Sequence, residues 1–397
     1  MNVGILTFHS SYNFGANLQA LAVQAAVERA GAEPVVINYQ DPVKMDVYRN
    51  ITDPAQVSEH ERFIHTYLKT SELLSTAEQV ESFCRDSLDV VLVGSDQVFR
   101  LVPMVNIRKS MRTLLGRRQN PLSEKATKVP SPYWLEWTVT GPASTIKTAS
   151  LAASAGATSY RFLYPGLSEQ LRKCLLRFDS VTVRDRWTEK LIMRLTRGRV
   201  VLEYCPDPVF SLRENFIFPD HDSHDSNLSK TILLSIAMES NWIEKFTEEA
   251  HRQGYRVASL PNPDREFPMN SVDDNIHLPL SPLKWFQLLS GAAGYIGIRF
   301  HALVSCIANN TPVVSIETTP KFGIGYRKKS RLFDLCQRAG IAARCLSSTR
   351  ALQRLAPQRV LRRLFDASSQ KQADRFAAMA KSQFQDTVQR AIHAPQS

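Results

Sequence analysis

Residues 294–316, GYIGIRFHALVSCIANNTPVVSI, hold two short apolar runs on either side of a segment with helical spacing at Ala302, Leu303, Ile307 and Ala308. The pattern predicts strand, helix, strand, with Arg299-Phe300-His301 where the first strand gives way to the helix. In an open parallel sheet, ligands gather at the carboxyl ends of strands. A helix N-terminus there offers free backbone N–H groups and the positive end of a dipole, which suits an anion. Arg299 adds a fork of donors and His301 a group that titrates near neutrality. The join reads as a site for a phosphate or carboxylate with a proton-transfer group beside it. The plainer reading is that Arg299 pairs with an acid and His301 caps a helix.

The same alternation extends outward on both sides. Strands are expected at 231–236 and 255–260, with helices at 242–253, 282–289 and 330–339, then basic helical segments to the end. The N-terminal half opens with a strand over 3–8, a turn-rich loop HSSYNFGANLQ, a helix with one apolar face ending near Gly31, and a strand over 34–39. The first loop carries Ser10, Tyr12, Asn13 and Gly15. It lacks G-x-G-x-x-G, so a dinucleotide fingerprint is absent, although Gly15 still allows a ligand close to the backbone. Residues 41–88 read as polar and helical. The strand at 88–93 then ends in Gly94-Ser95-Asp96-Gln97, a second polar cluster past a strand end. Asp96 there is a candidate general base or sugar hydrogen-bond acceptor, or else a helix cap. Strands at 147–154 and 180–184 follow, the second ending in Arg184, another strand-end cation. Two β/α halves joined near 210–230 imply an α/β protein with two Rossmann-like domains facing across a cleft. The expected boundaries are 1–210, a linker at 211–230, 231–345 with the anion site, and basic helices over 346–397.

Composition sets limits on the function. At 397 residues, with 43% apolar and 22% charged side chains, the chain suits two soluble globular domains. No apolar run reaches a membrane-spanning length, and the N-terminus enters a strand pattern at once, so a cytoplasmic location is expected. Six cysteines lack CxxC spacing, which argues for reduced thiols and against a zinc site. His221, Asp222, His224 and Asp225 invite a metal reading, but a polar linker gives them no supporting ligands, and no metal is expected. The net charge of +11 is uneven: residues 100–128 hold eight Lys/Arg against one acid, and residues 344–397 hold ten against three. Such surface suits anionic lipid or a phosphorylated substrate; with no nucleic-acid-binding motif beside it, nucleic acid is not expected.

Several separated segments resemble, in order, the polysaccharide pyruvyl transferase family. They are GILTFHSSYNFGANLQALAVQAAVERAGAEPVVINY, VLVGSDQVF, SPYWLEW with ASLAASAG, SVTVRDRWTEKLI, CPDPVF and IGIRFHALVSCIANNTPVVSI. The resemblance implies a GT-B-like fold and transfer of the pyruvyl group of phosphoenolpyruvate to two sugar hydroxyls, giving a pyruvate ketal and phosphate. Phosphoenolpyruvate would be a co-substrate, with no cofactor. On that reading Arg184, Arg299, His301 and Lys321 bind the donor, and Arg327 and Lys328 could close over its phosphate. His301 handles the proton, and Asp96 relieves the attacking hydroxyl. Asn13, Gly15, Asp96 and Gln97 face the acceptor, a sugar or lipid-linked oligosaccharide. The two basic stretches could bring the enzyme to an anionic inner membrane face. Two other readings stand beside it: a glycosyltransferase with a nucleotide-sugar donor, in which Glu317 would help bind ribose and uracil, and a binding protein that has lost turnover.

Overall fold

The computed structural model describes residues 1–101, 131–141, 145–156, 158, 165–218, 227–317 and 330–394. Among the described residues, twelve strands form two six-stranded sheets, and every pairing within them is parallel. The first sheet contains β1 (Asn2–Leu6), β2 (Glu33–Val36), β3 (Val90–Val93), β4 (Lys147–Ala153), β5 (Ser180–Val183) and β6 (Leu202–Tyr204). The second contains β7 (Thr231–Ser235), β8 (Arg256–Ser259), β9 (Asp274–Asn275), β10 (Gly294–Gly297), β11 (Val313–Ile316) and β12 (Cys345–Leu346). Central strands such as VVLV and TILLS are buried along their whole length, because helices cover both faces of a parallel sheet. Strands β6, β9 and β12 escape the sequence reading: LEY, DN and CL are too short to carry a period, and their pairing is decided by neighbours.

Strand order locates the crevices. The first sheet runs β2-β1-β3-β4-β5-β6, so the winding direction reverses between β1 and β3. The second runs β12-β11-β10-β7-β8-β9 and reverses between β7 and β10. Chain leaving the two strands at such a reversal departs to opposite faces, which leaves a gap at their carboxyl ends. The loops after β1 and β3, and the Arg299-Phe300-His301 turn after β10, therefore sit at the two switch points.

The helix Phe14–Arg29 differs from its expected single apolar face, since 14 of its 16 residues are buried. It lies against β1 and β2 on its own side and against helices Pro282–Gly291, Phe300–Ala308 and Ala367–His393 on the other. A helix enclosed on all sides must satisfy its polar side chains internally. Asn17 Nδ2 donates to the His9 carbonyl (2.7 Å), its Oδ1 contacts His60 Nδ1 (2.6 Å), and Gln24 Nε2 donates to the Tyr67 carbonyl (3.0 Å). Gln19 donates to Asp207 (2.6 Å), a contact that leads into the site.

The final helix, Ala367–His393, returns to the first half. Its Gln383 donates to the Tyr204 carbonyl and Arg390 pairs with Glu203, while Lys147 donates to the Ala394 carbonyl just beyond it. No helix among the described residues is long and apolar enough to cross a membrane. Fully buried Phe384 anchors the returning helix, so Phe384→Ala should cost about 3–5 kcal/mol of unfolding free energy. Met379, 65% exposed on the same helix, should tolerate alanine within about 0.5 kcal/mol; urea unfolding of both variants checks the pair.

Candidate active site

The first half contributes its strand ends. After β1, Asn13 caps the helix Phe14–Arg29, its Oδ1 accepting from Gly15 N (3.0 Å) and Ala16 N (3.3 Å). After β3, Gly94 has φ +136°, and a Cβ there would lie 2.1 Å from the Leu151 carbonyl oxygen. Only glycine fits that turn, which delivers buried Asp96 to the sheet edge. After β5, Arg184 stands with its side chain 1% exposed. One of its amino groups donates to Asp207 (2.6 Å) and the other to Asp96 (3.0 Å). Asp207 follows β6 and also receives Gln19, so a single carboxylate ties the first helix to the Arg184 guanidinium.

The second half supplies the turn after β10. Arg299 is the last extended residue before helix Phe300–Ala308, and no side chain caps that helix. The Phe300 ring carries two guanidinium groups, Arg184 at 4.9 Å and Arg331 at 5.0 Å from its centroid. The His301 ring lies 5.4 Å from the same ring, edge to face. His301 packs onto Gly15 of the opposite half: a Cβ on Gly15 would fall 2.0 Å from imidazole atoms. The halves therefore meet at a glycine because nothing larger leaves room for the ring. Phe14 stacked on Trp285 (5.2 Å) and a reciprocal pair of hydrogen bonds between Gln56 and Leu280 (2.8 Å each) hold the same junction.

Charge is distributed unevenly through this cluster. Burial alone would raise the Asp96 carboxyl, but the nearby Arg184, His301 and Arg331 outweigh it and hold the group below its usual range. Burial drives His301 down to about 4, against the pull of the Asp96 and Asp207 carboxylates, so the imidazole is neutral at pH 7. Its Nε2 is buried with no hydrogen-bond partner among the described residues. Burial also lowers Arg331, and neighbouring Arg184 adds to the effect.

The expected residues fall into distinct settings. Asp96, Arg184 and His301 come together, with Gly15 under the imidazole. Asn13 uses its oxygen as a cap, and Gln97 lies against Gly156, where a Cβ would come within 2.3 Å of Oε1. Arg299 pairs with Asp264, both partly exposed, as the plainer reading anticipated; His301 does not cap its helix. Lys321, Arg327, Lys328, the basic run at 102–128 and the His221–Asp225 cluster lie outside the described residues. Among the described residues, no group of three or more His, Cys, Asp or Glu could hold a metal ion. Sequence reasoning missed Asp207, Phe300 and Arg331 as members of the site. Asp207 read as part of a Cys-Pro-Asp-Pro junction, and Arg331 was hidden at the end of a basic run.

Three histidines with depressed pKa values set the acid response. His301 titrates near 4, His60 near 3, and burial lowers His9, against 6.5 for an unfolded chain. Between those values the unfolded state binds more protons, so stability is complete above pH 6.5 and falls as pH drops toward 4. Urea unfolding in steps from pH 7 to 4 should show that loss, with a shallower slope in His301→Gln.

The family model for polysaccharide pyruvyl transferases matches residues 13–320, which span both switch points. A search of curated proteins finds no match. Among solved structures, a candidate UDP-N-acetylglucosamine 2-epimerase from Listeria monocytogenes is 12% identical, with 95% of this chain and 94% of that chain covered and a TM-score of 0.54. A UDP-GlcNAc 2-epimerase from Neisseria meningitidis, bound to UDP-GlcNAc, is 10% identical over 99% of each chain, with a TM-score of 0.53. At these identities the likeness concerns the fold, a GT-B-like pair of Rossmann-like domains. The chain belongs to the polysaccharide pyruvyl transferase family, a family of transferases.

Proposed function

We propose that this protein transfers the pyruvyl group of phosphoenolpyruvate onto two hydroxyls of a sugar, forming a pyruvate ketal and releasing phosphate, in exopolysaccharide or cell-surface glycan synthesis. The observation that carries the reading is the neutral imidazole of His301, with its bare Nε2, beside Asp96 and two guanidinium groups where the switch points meet. Phosphoenolpyruvate is a polyanion, and its arrival beside the imidazole would favour the protonated form. Protonation is then coupled to donor occupancy, and the acid forms when there is something to protonate.

The proton goes to the methylene carbon, which becomes the methyl group, and the adjacent carbon takes on oxocarbenium character. A first sugar hydroxyl bonds to that carbon and a second displaces phosphate to close the ketal. Of the two hydroxyl protons, one replaces the proton given to the methyl group and the other leaves with phosphate. Asp96 is held ionised below the usual range, so it is a weak base but a good acceptor for the attacking hydroxyl. Arg184 is occupied by two carboxylates and acts on the donor through its field. Arg299 is available at low cost, because an exposed ion pair such as Arg299–Asp264 is worth about 0–1 kcal/mol. Lys321 would add a further cation, and Asn13, Gly15 and Gln97 would face the acceptor. No cofactor is required. A nucleotide-sugar glycosyltransferase is not favoured, since Glu317, the acid that would bind ribose, is buried and receives the Ser330 hydroxyl.

Ligand-dependent melting tests this reading. Phosphoenolpyruvate well above its dissociation constant should raise Tm, and His301→Ala should lose ketal formation on a sugar acceptor. A rise with UDP-, GDP- or CMP-sugars and none with phosphoenolpyruvate would sink pyruvyl transfer and favour the glycosyltransferase.

A peripheral membrane position fits a lipid-linked acceptor. Arg350, Arg354, Arg359, Arg362, Lys371 and Arg375 are exposed, on helices whose Leu352, Val360, Leu361 and Leu364 face the core. Clustered cations of this kind attract anionic headgroups by about 1 kcal/mol each. The protein should co-sediment with vesicles containing phosphatidylglycerol and not with phosphatidylcholine alone, and Arg359→Glu with Arg362→Glu should weaken that preference.

A further inference from the structure

We infer that Arg331 is an oxyanion-binding residue of the cleft and, on the pyruvyl-transfer reading, contacts the phosphate or carboxylate of the donor. Three arginines could serve such an anion, and they differ in what they already hold. Arg184 gives both amino groups to carboxylates, and Arg299 is paired with Asp264. Arg331 has no carboxylate within ion-pair distance among the described residues, and its Nη1 is buried with no hydrogen-bond partner. A buried, unused donor on a cation is costly unless an anion completes it.

Its surroundings locate where that anion would sit. Arg331 and His301 both border the Phe300 ring, at 5.0 and 5.4 Å from its centroid, and each carries a buried nitrogen without a partner, Nη1 and Nε2, whereas the unpartnered buried nitrogens of Arg184 and Arg299 are their Nε atoms. An oxyanion between them would satisfy Arg331 Nη1 and give a protonated His301 a counter-charge. Of the two guanidinium groups on the Phe300 ring, Arg184 is already matched by carboxylates, and Arg331 has no ion-pair partner among the described residues. The position is rigid as well. Arg331 opens helix Arg331–Arg338, capped by the Ser330 hydroxyl on Phe333 N (3.0 Å). Ser330 is in turn held by Glu317, whose backbone N–H donates to the Leu346 carbonyl in β12 (2.8 Å). The cation is thus built onto the carboxyl end of β11, next to β10 in the sheet.

The test compares wild type, Arg331→Ala, Arg331→Lys and Arg299→Ala in melts with phosphoenolpyruvate, inorganic phosphate and UDP, with circular dichroism as the check on folding. Arg331→Ala should bind the stabilising anion about ten- to a hundred-fold more weakly. Arg331→Lys, which keeps the charge and loses the fork, should recover part of that affinity; a purely structural role on Phe300 would show no such ranking among anions. In turnover, the loss should appear mainly in KM for phosphoenolpyruvate. Full phosphoenolpyruvate stabilisation in Arg331→Ala overturns the assignment and leaves pyruvyl transfer standing. A UDP shift lost in Arg331→Ala, with phosphoenolpyruvate silent in wild type, keeps the assignment and removes pyruvyl transfer. No shift of wild type with any of the three anions overturns both.

Discussion

The buried guanidinium of Arg184, gripped by Asp207 and Asp96, is the interaction on which the site depends. Taking three charges out of water costs several kcal/mol per ion, and their attraction offsets this only with short, well-directed contacts. Here both contacts are 3.0 Å or less, and Asp207 also receives Gln19 from the first helix. Removing the guanidinium would leave two buried carboxylates without their shared cation, which is far worse than never having buried the group. The network joins the ends of β3, β5 and β6 to the first helix and presents one guanidinium to Phe300 of the other half.

That network shapes the chemistry because it sets the electrostatic surroundings of His301. The carboxylates pull the imidazole toward protonation, while burial and the two arginines push it back, and burial wins. A site with the same histidine on an exposed surface would be half protonated near neutrality whether or not a donor was present. Contact between the halves is part of the same balance. Gly15 seats the imidazole, and any hinge motion must separate that contact together with the Phe14–Trp285 stack and the Gln56–Leu280 pair.

Much of the fold was legible because parallel α/β units write themselves locally. Continuous apolar runs such as VVLV, bounded by Gly94 or Gly31, identify buried strands and helix stops without knowledge of their neighbours. The turn after β10 was readable for the same reason: strand end, cation, aromatic and histidine are consecutive. The short strands β6, β9 and β12 were not readable, since two or three residues hold no period. The first helix was misjudged in one respect. Its Asn17, Gln19 and Gln24 look like a polar face in the sequence, yet each is buried against a hydrogen-bond partner from another element.

The sequence by itself determined the two alternating β/α halves, the strand-end placement of Asp96, Arg184 and His301, and the resemblance that named the family. These are properties of neighbours along the chain, where propensity, turn chemistry and motif order act. Tertiary structure alone decided which cations are spent and which remain open. Arg299 meets Asp264, 35 residues away, and Arg184 meets Asp96, 88 residues away. Arg331, four residues past Arg327 in the sequence, is turned onto Phe300 with its Nη1 enclosed. Charge pairing depends on distance in space and on the loss of water around each group, and neither is encoded in spacing along the chain.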